Sequence, residues 1–189
     1  MPFAERYINA LNSSNLLDDQ QHSQAEALAA AALADLSGGS GSIFGSMLAR
    51  AKADGVPREA IASGSRSLAA LLRVWKEVVF QKGKDRKWLR IVQPWDIQAL
   101  EGICNKIALH SLAHFLGGEC SACNGTKING GRACTHCTEA PGREPIEGSG
   151  LLRERIKDMI SELEGRHDSH AARAGAKMRR AAPEMSEAA

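Results

Sequence analysis

Four of the five cysteines in this chain fall within eighteen residues: Cys120-Ser-Ala-Cys123, ten intervening residues, then Cys134-Thr-His-Cys137. A CxxC pair lets two thiolates grip one cation while the backbone turns between them. A second pair completes a tetrahedral sulfur shell, the arrangement that suits Zn²⁺. The gap between the knuckles is shorter than the commonest spacing of such sites but belongs to the same pattern. Cys120, Cys123, Cys134 and Cys137 are therefore the expected ligands of one structural Zn²⁺.

The glycines around the knuckles agree. Asn124-Gly125 follows the first, and Asn129-Gly130-Gly131 lies between the two. Such pairs accept positive φ and mark tight hairpin turns. Two disulfides are the competing reading. A secretory signal would favour it, but Met1-Pro2-Phe3-Ala4-Glu5-Arg6 shows no basic start leading into an apolar core.

The elements that must position this hairpin read as helices. The chain has 189 residues, of which 43% are apolar and only 4% aromatic, so its core must be aliphatic and alanine-rich. Asp18 to Leu36 reads as an Ala/Leu helix capped by Asp18 or Asp19, poor in large apolar side chains and so suited to packing on a partner or staying mobile. Ser37-Gly38-Gly39-Ser40-Gly41-Ser42 reads as a flexible linker. Ile43 to Asp54 suits a helix ending at Gly55, and Pro57 opens the next. Ala51, Gly55 and Ile61 have helix-turn-helix spacing, a pattern equally common at bundle corners.

Further along, Ser65 or Ser67 caps a helix to about Phe80, with Leu68, Leu71, Leu72, Trp75 and Val79 on one face. Lys82-Gly83-Lys84-Asp85 reads as a basic turn, and Lys87 to Val92 as a short strand or extended connector. Pro94 opens a long helix to about Leu116, striped by Ile97, Leu100, Cys104, Ile107, Ser111 and Phe115. His110 and His114 sit one turn apart in it, without an adjacent carboxylate or thiol, and read as buried or hydrogen-bonded histidines. His136 reads as an outer neighbour of the metal. Beyond the knuckles, Pro141, Gly142 and Pro145 form an irregular return. A last helix from Leu151 to about Leu163 turns Leu152, Ile156, Met159, Ile160 and Leu163 inward and stops at Gly165. Residues 167–189 read as a frayed or disordered basic tail.

Charge is unevenly spread although the net value is only +2. Residues 1–49 carry one base against five acids, a net −4. Residues 73–90 carry seven bases against two acids, a net +5, and residues 151–180 eight against five, a net +3. Basic stretches attract phosphate, and the plain alternative for each is a solvated helix face. No apolar run approaches the roughly 20 residues needed to span a membrane. The expectation is a soluble, cytoplasmic protein with no membrane partner. Nucleophile-elbow, phosphate-loop and HExxH patterns are absent, and a closed four-cysteine shell leaves no position for a catalytic water. An enzyme is not expected.

A long apolar helix entering a compact two-knuckle hairpin, with Cys120-Ser-Ala-Cys123-Asn-Gly125-Thr126 as its first knuckle and a helix on the return, resembles the Q-type late-gene antitermination proteins of lambdoid phages. The resemblance covers roughly residues 70–165. The first knuckle also looks like half of a DnaJ-type cysteine-rich module, but that family has four such repeats and a J domain, which this chain lacks. The expected fold is mainly α: a helical domain interrupted by a small four-cysteine zinc hairpin, with an N-terminal acidic helical arm and a basic C-terminal tail read from the charge pattern; that the helical domain binds DNA is what the Q-type resemblance implies. The expected division is an arm and linker over 1–42, a helical core over 43–165 with the zinc insertion at 119–140, and a tail over 166–189.

The implied function is transcription antitermination. Such proteins bind a promoter-proximal DNA element, engage a paused bacterial RNA polymerase with its sigma factor, and make it read through terminators by acting at the RNA exit channel. Expected partners are that DNA, the polymerase and nascent RNA. Lys127 and Arg132, between the knuckles, are candidates for phosphate contact. Arg153, Arg155 and Lys157 are candidates on the helix nearest DNA, and Lys82, Lys84, Arg86 and Lys87 on a second nucleic-acid face. The alternatives are a zinc-stabilised DNA-binding regulator acting at initiation and a zinc-stabilised protein-binding adaptor.

Overall fold

In a computed structural model of the chain, residues 3–12, 24–37, 44–53, 66–138, 140–146 and 148–186 are described. They form helices α1 (Phe3–Asn12), α2 (Gln24–Leu36), α3 (Phe44–Ala53), α4 (Arg66–Asp85), α5 (Pro94–Gly117) and α6 (Gly150–Ser186), with a two-stranded hairpin, β1 (Ile128–Asn129) and β2 (Arg132–Ala133), between α5 and α6. The mainly helical expectation holds. The Asp18 and Asp19 cap, the linker from Gly38, and the Pro57 helix with its Gly55 and Ile61 spacing lie outside the described residues.

Contacts divide the chain into two units, residues 1–54 with 164–189, and residues 55–163. The helix α6 contributes to both, with its residues to Leu163 in the second unit and those from Glu164 in the first. Gly165 therefore does not end a helix. A glycine costs about 1 kcal/mol in a helix interior, and packing beyond it outweighs that cost: His170, Ala174 and Met178 are all buried.

In the first unit, α2 packs through its small residues. Ala27, Ala30, Ala31 and Ala34 are buried at helical spacing. Ala27 and Ala30 meet Ala10 of α1 and Met178 of α6. The alanine-rich helix is thus core-forming, because small side chains let helices approach closely. Polar groups tie the same elements together. Asp35, near the end of α2, accepts the backbone N–H of Ser46 in the first turn of α3 at 3.2 Å, and also its hydroxyl. That carboxylate meets an otherwise orphaned helix donor and the positive end of the α3 dipole.

His170 of α6 sits against this pair, its Nε2 lying 3.3 Å from both the Ala31 carbonyl and Asp35 Oδ1. Burial holds the His170 imidazole below its ordinary value, opposed by the Asp35 carboxylate and the Ala31 carbonyl and assisted by Arg173 and His167. An unfolded chain binds this proton first, so stability contributed by neutral His170 is complete above the ordinary value of 6.5 and declines as pH falls below it. Chemical unfolding at about pH 7.5 and about pH 5.5 checks this: His170→Gln should show a smaller loss on acidification than the parent chain.

In the second unit, α4 and α5 form an antiparallel pair. Leu68, Leu71, Trp75 and Val79 of α4 face Leu100, Cys104, Ile107, Ser111 and Phe115 of α5, all buried, while Ile97 at the start of the stripe is exposed. Trp75 Nε1–H donates to Ser111 Oγ at 2.9 Å, and that hydroxyl donates to the Ala108 carbonyl. Ser111→Ala strands a fully buried indole N–H and should cost about 1–3 kcal/mol in unfolding free energy by urea titration.

The expected basic turn at 82–85 is instead the last turn of α4. Gly83 is buried there because a Cβ would come within 2.9 Å of Cys104 Sγ and 3.0 Å of the Trp88 ring. The helix stops two residues later. Lys87 takes a positive φ of 52°, Trp88 N–H bonds the Gly83 carbonyl and Lys87 N–H the Lys84 carbonyl. This is the paired bonding of a Schellman stop, with lysine where glycine is usual. Residues 88–93 then run as a connector rather than a strand.

Candidate metal centre

Between α5 and α6 the chain makes a small module whose interior is sulfur. Cys120, Cys123, Cys134 and Cys137 are buried as one cluster. Local turns bring them together. After the first knuckle, Asn124 and Gly125 adopt positive φ, Asn124 N–H bonds the Cys120 carbonyl, and Thr126 N–H bonds that of Cys123. The β1–β2 hairpin pairs Ile128 with Ala133 and Asn129 with Arg132. Its turn residues, Gly130 and Gly131, both have positive φ, as a tight two-residue turn requires. The return is fixed by Gly142, whose N–H donates to Cys137 Sγ at 3.2 Å and whose missing Cβ would stand 2.8 Å from the Gly125 carbonyl.

The ends of the module are joined. Cys120 N–H bonds the Gly142 carbonyl, Glu144 N–H bonds that of Gly118, and Glu119 bridges Arg143 in antiparallel fashion. Glu144 adds a side-chain tie. Its Oε2 accepts the Ser121 N–H at 2.7 Å, and its Oε1 lies 3.1 Å from His136 Nε2. These contacts, the Ser121 N–H foremost, hold the Glu144 carboxyl below the usual range.

The sulfur geometry fits a tetrahedral ion. Cys120 Sγ and Cys134 Sγ are 3.9 Å apart, Cys123 Sγ and Cys137 Sγ 3.8 Å, and all four lie within 4.8 Å of one another. Thiolates at a zinc–sulfur distance of about 2.3 Å around a tetrahedral centre stand about 3.8 Å apart. All five cysteines are free thiols. Burial pushes the Cys123 thiol up to about 12. Burial acts the same way on Cys134, but N–H groups of His136 and Cys137 and neighbouring thiols bring it down to about 7. The Gly142 N–H pulls Cys137 down, yet burial and the thiols of Cys134 and Cys120 leave it raised. Four sulfurs this close ionise together only around a cation.

Cys120, His136 and Glu144 form a second close group of ligand-type side chains. His136 is exposed and paired to Glu144, an outer position relative to the four sulfurs. His110 and His114 belong to no group of three such side chains among the described residues. The spacing of the cysteines announced the cluster. The tie from Glu144 and the turn at Gly142 carried no such signal, beyond the Pro-Gly at 141–142.

The candidate nucleic-acid residues are placed differently from one another. Lys127 and Arg132 are exposed on the hairpin, beside exposed Ile128, and Lys157 is exposed on α6. Lys87 is exposed at the end of α4, and Lys84 lies 5.7 Å from the Phe80 ring. Lys82 pairs with Glu162 at 3.2 Å and Arg86 with Asp158. Arg155 donates to the Trp88 carbonyl at 2.7 Å and covers the Trp88 ring at 5.4 Å. Arg153 is half-buried near the start of α6. The basic side chains are thus divided between tying α6 to the end of α4 and facing water.

Fold and site together define a mainly α-helical protein with a buried four-cysteine cluster able to coordinate a metal ion. No described helix is long and apolar enough to cross a membrane. Comparison with protein-family models, with curated proteins and with solved structures gave no match.

Proposed function

We propose that the chain is a transcription antitermination factor whose four-cysteine cluster holds one structural Zn²⁺. It binds a promoter-proximal DNA element, engages a paused RNA polymerase with its sigma factor and makes it read through terminators at the RNA exit channel. The observation that carries this reading is the hairpin's setting. A 24-residue helix leads into it, its ends are tied together, and the chain returns directly into another helix. That is the arrangement on which the resemblance to Q-type proteins rests.

Within this reading the metal has no reacting role; it supplies the fixed centre around which the knuckles fold. Exposed Lys127 and Arg132 on the hairpin, with Lys157 on α6, meet phosphate. Lys84 and Lys87 form the second basic face. Lys82, Arg86 and Arg155 act first within the fold, holding α6 against the end of α4.

In vitro transcription with purified bacterial RNA polymerase holoenzyme, on a template carrying a promoter and a distant terminator, tests the reading. Added protein should raise read-through without changing initiation. An effect on initiation alone would make it a DNA-binding regulator. No effect, with no DNA binding at low salt, would make it a protein-binding adaptor.

A further inference from the structure

The four sulfurs come from two knuckles that the chain separates by ten residues, and one ion is gripped only when both knuckles stand in register. The hairpin supplies one link between them, with Cys134 N–H bonded to the Lys127 carbonyl. A single carboxylate supplies another. Glu144 Oε2 accepts the N–H of Ser121, between Cys120 and Cys123, at 2.7 Å. Its Oε1 lies 3.1 Å from Nε2 of His136, between Cys134 and Cys137. Its own N–H bonds the Gly118 carbonyl, just beyond α5. One side chain is thus bonded inside each knuckle while its backbone is fixed where the chain enters the module.

Two features separate this contact from an ordinary surface ion pair, which contributes little. The Glu144 side chain is only 15% exposed, against 47% for His136, so the carboxylate is mostly out of water. A carboxylate that accepts a backbone N–H makes a charge-assisted bond, roughly twice as strong as a neutral one. The other feature is the sign of the charge. Four thiolates outweigh the charge of Zn²⁺, so the loaded cluster is an anion. A Glu144 oxygen, Cys120 Sγ and a His136 ring nitrogen all lie within 4.8 Å of one another. A negative group at that range opposes ionised sulfur. The charge of Glu144 therefore works against the loaded cluster, and what the residue adds comes from its hydrogen bonds. Four sulfurs already fill a tetrahedral shell, which leaves Glu144 and His136 outside it.

We propose, resting on the structural Zn²⁺ proposed above, that Glu144 is a positioning residue for the metal: it presets both knuckles and so slows loss of the ion. Groups that orient ligands in this way are typically worth about 10–100-fold in metal affinity. The test uses the full chain, stripped of metal and titrated with Zn²⁺ against a chromophoric chelator, with release to excess chelator timed separately. The parent should hold one Zn²⁺. Glu144→Asp keeps the charge but is too short to reach both knuckles, and Glu144→Ala keeps neither charge nor reach. Both should bind Zn²⁺ about 10–100-fold more weakly and release it faster, with the stoichiometry unchanged. Glu144→Gln loses the charge but can still accept from Ser121 and meet His136, and should stay close to the parent. Loaded with Co²⁺, all four proteins should show the same four-thiolate absorption. Affinity and release in Glu144→Asp and Glu144→Ala equal to those of the parent overturn the proposal. So does a Glu144→Gln that binds as weakly as Glu144→Ala, which puts the effect on charge. A second ion in the parent that Glu144→Ala lacks, or a shifted Co²⁺ spectrum, overturns it as well, making Glu144 a ligand. If the parent holds no metal, the four-sulfur reading fails and this proposal with it.

Discussion

Cys134→Ser should release the metal and unfold residues 120–142 while α4 and α5 stay paired. The reason is what the module lacks. Among its described residues the buried side chains are those of the four cysteines, with Ile128 exposed on the hairpin. No aliphatic core remains to hold two two-residue strands once the ion is gone. An isolated hairpin of this size is marginal in water, whereas binding of a structural zinc contributes roughly 10–16 kcal/mol in small modules. The α4–α5 pair has its own core around Trp75, Leu100 and Ile107. Elemental analysis should find one metal per parent chain and none in the variant. Amide exchange should lose protection across the module only. A variant that keeps both metal and protection would refute the four-sulfur site. Strong chelation of the parent chain should reproduce the variant's behaviour.

The second large effect lies in the first unit. Gly45→Ala should destabilise it by about 2–3 kcal/mol, near the upper end for a forced overpacking. A Cβ at Gly45 would stand 2.4 Å from His170 Cδ2, 2.7 Å from its Cγ and 2.9 Å from Asp35 Oδ1. Neither neighbour yields readily. His170 is almost fully buried, and Asp35 is held by Ser46. Moving either breaks the polar link among α2, α3 and α6 as well as the packing. Urea unfolding followed by circular dichroism measures the loss. Gly102→Ala, where an added Cβ meets nothing within 4 Å, is the matched control and should be neutral or slightly stabilising.

The helices whose apolar faces are built from large side chains were legible in the sequence, because burial follows helical spacing. Leu68, Leu71, Trp75 and Val79 on α4, and Ile156, Met159, Ile160 and Leu163 on α6, lie inside as their spacing implies. The four-cysteine cluster was legible because two paired short spacings of thiols bring four sulfurs together at a tight hairpin. Three things were not legible. Gly83 and Gly165 read as breaks, yet one is required by a close approach of Cys104 and the other is carried through by packing further along the helix. The alanine face of α2 gave no strong period, since alanine marks an inside face only once its neighbours are known. Pairings of distant charge, such as Lys82 with Glu162 and Arg86 with Asp158, depend on which helix ends meet. Local spacing says nothing about that.

The bridge between Glu119 and Arg143 has a consequence for how this chain tolerates change in length. Because the strands leaving α5 and approaching α6 are bonded side by side, everything between them is a closed loop hung on a fixed neck. Closing a flexible loop costs only about 0.6 kcal/mol more for each doubling of its length. Residues 120–142 are therefore exchangeable as a cassette: a short glycine turn, or a longer knuckle, should graft onto the same neck without disturbing the helices on either side.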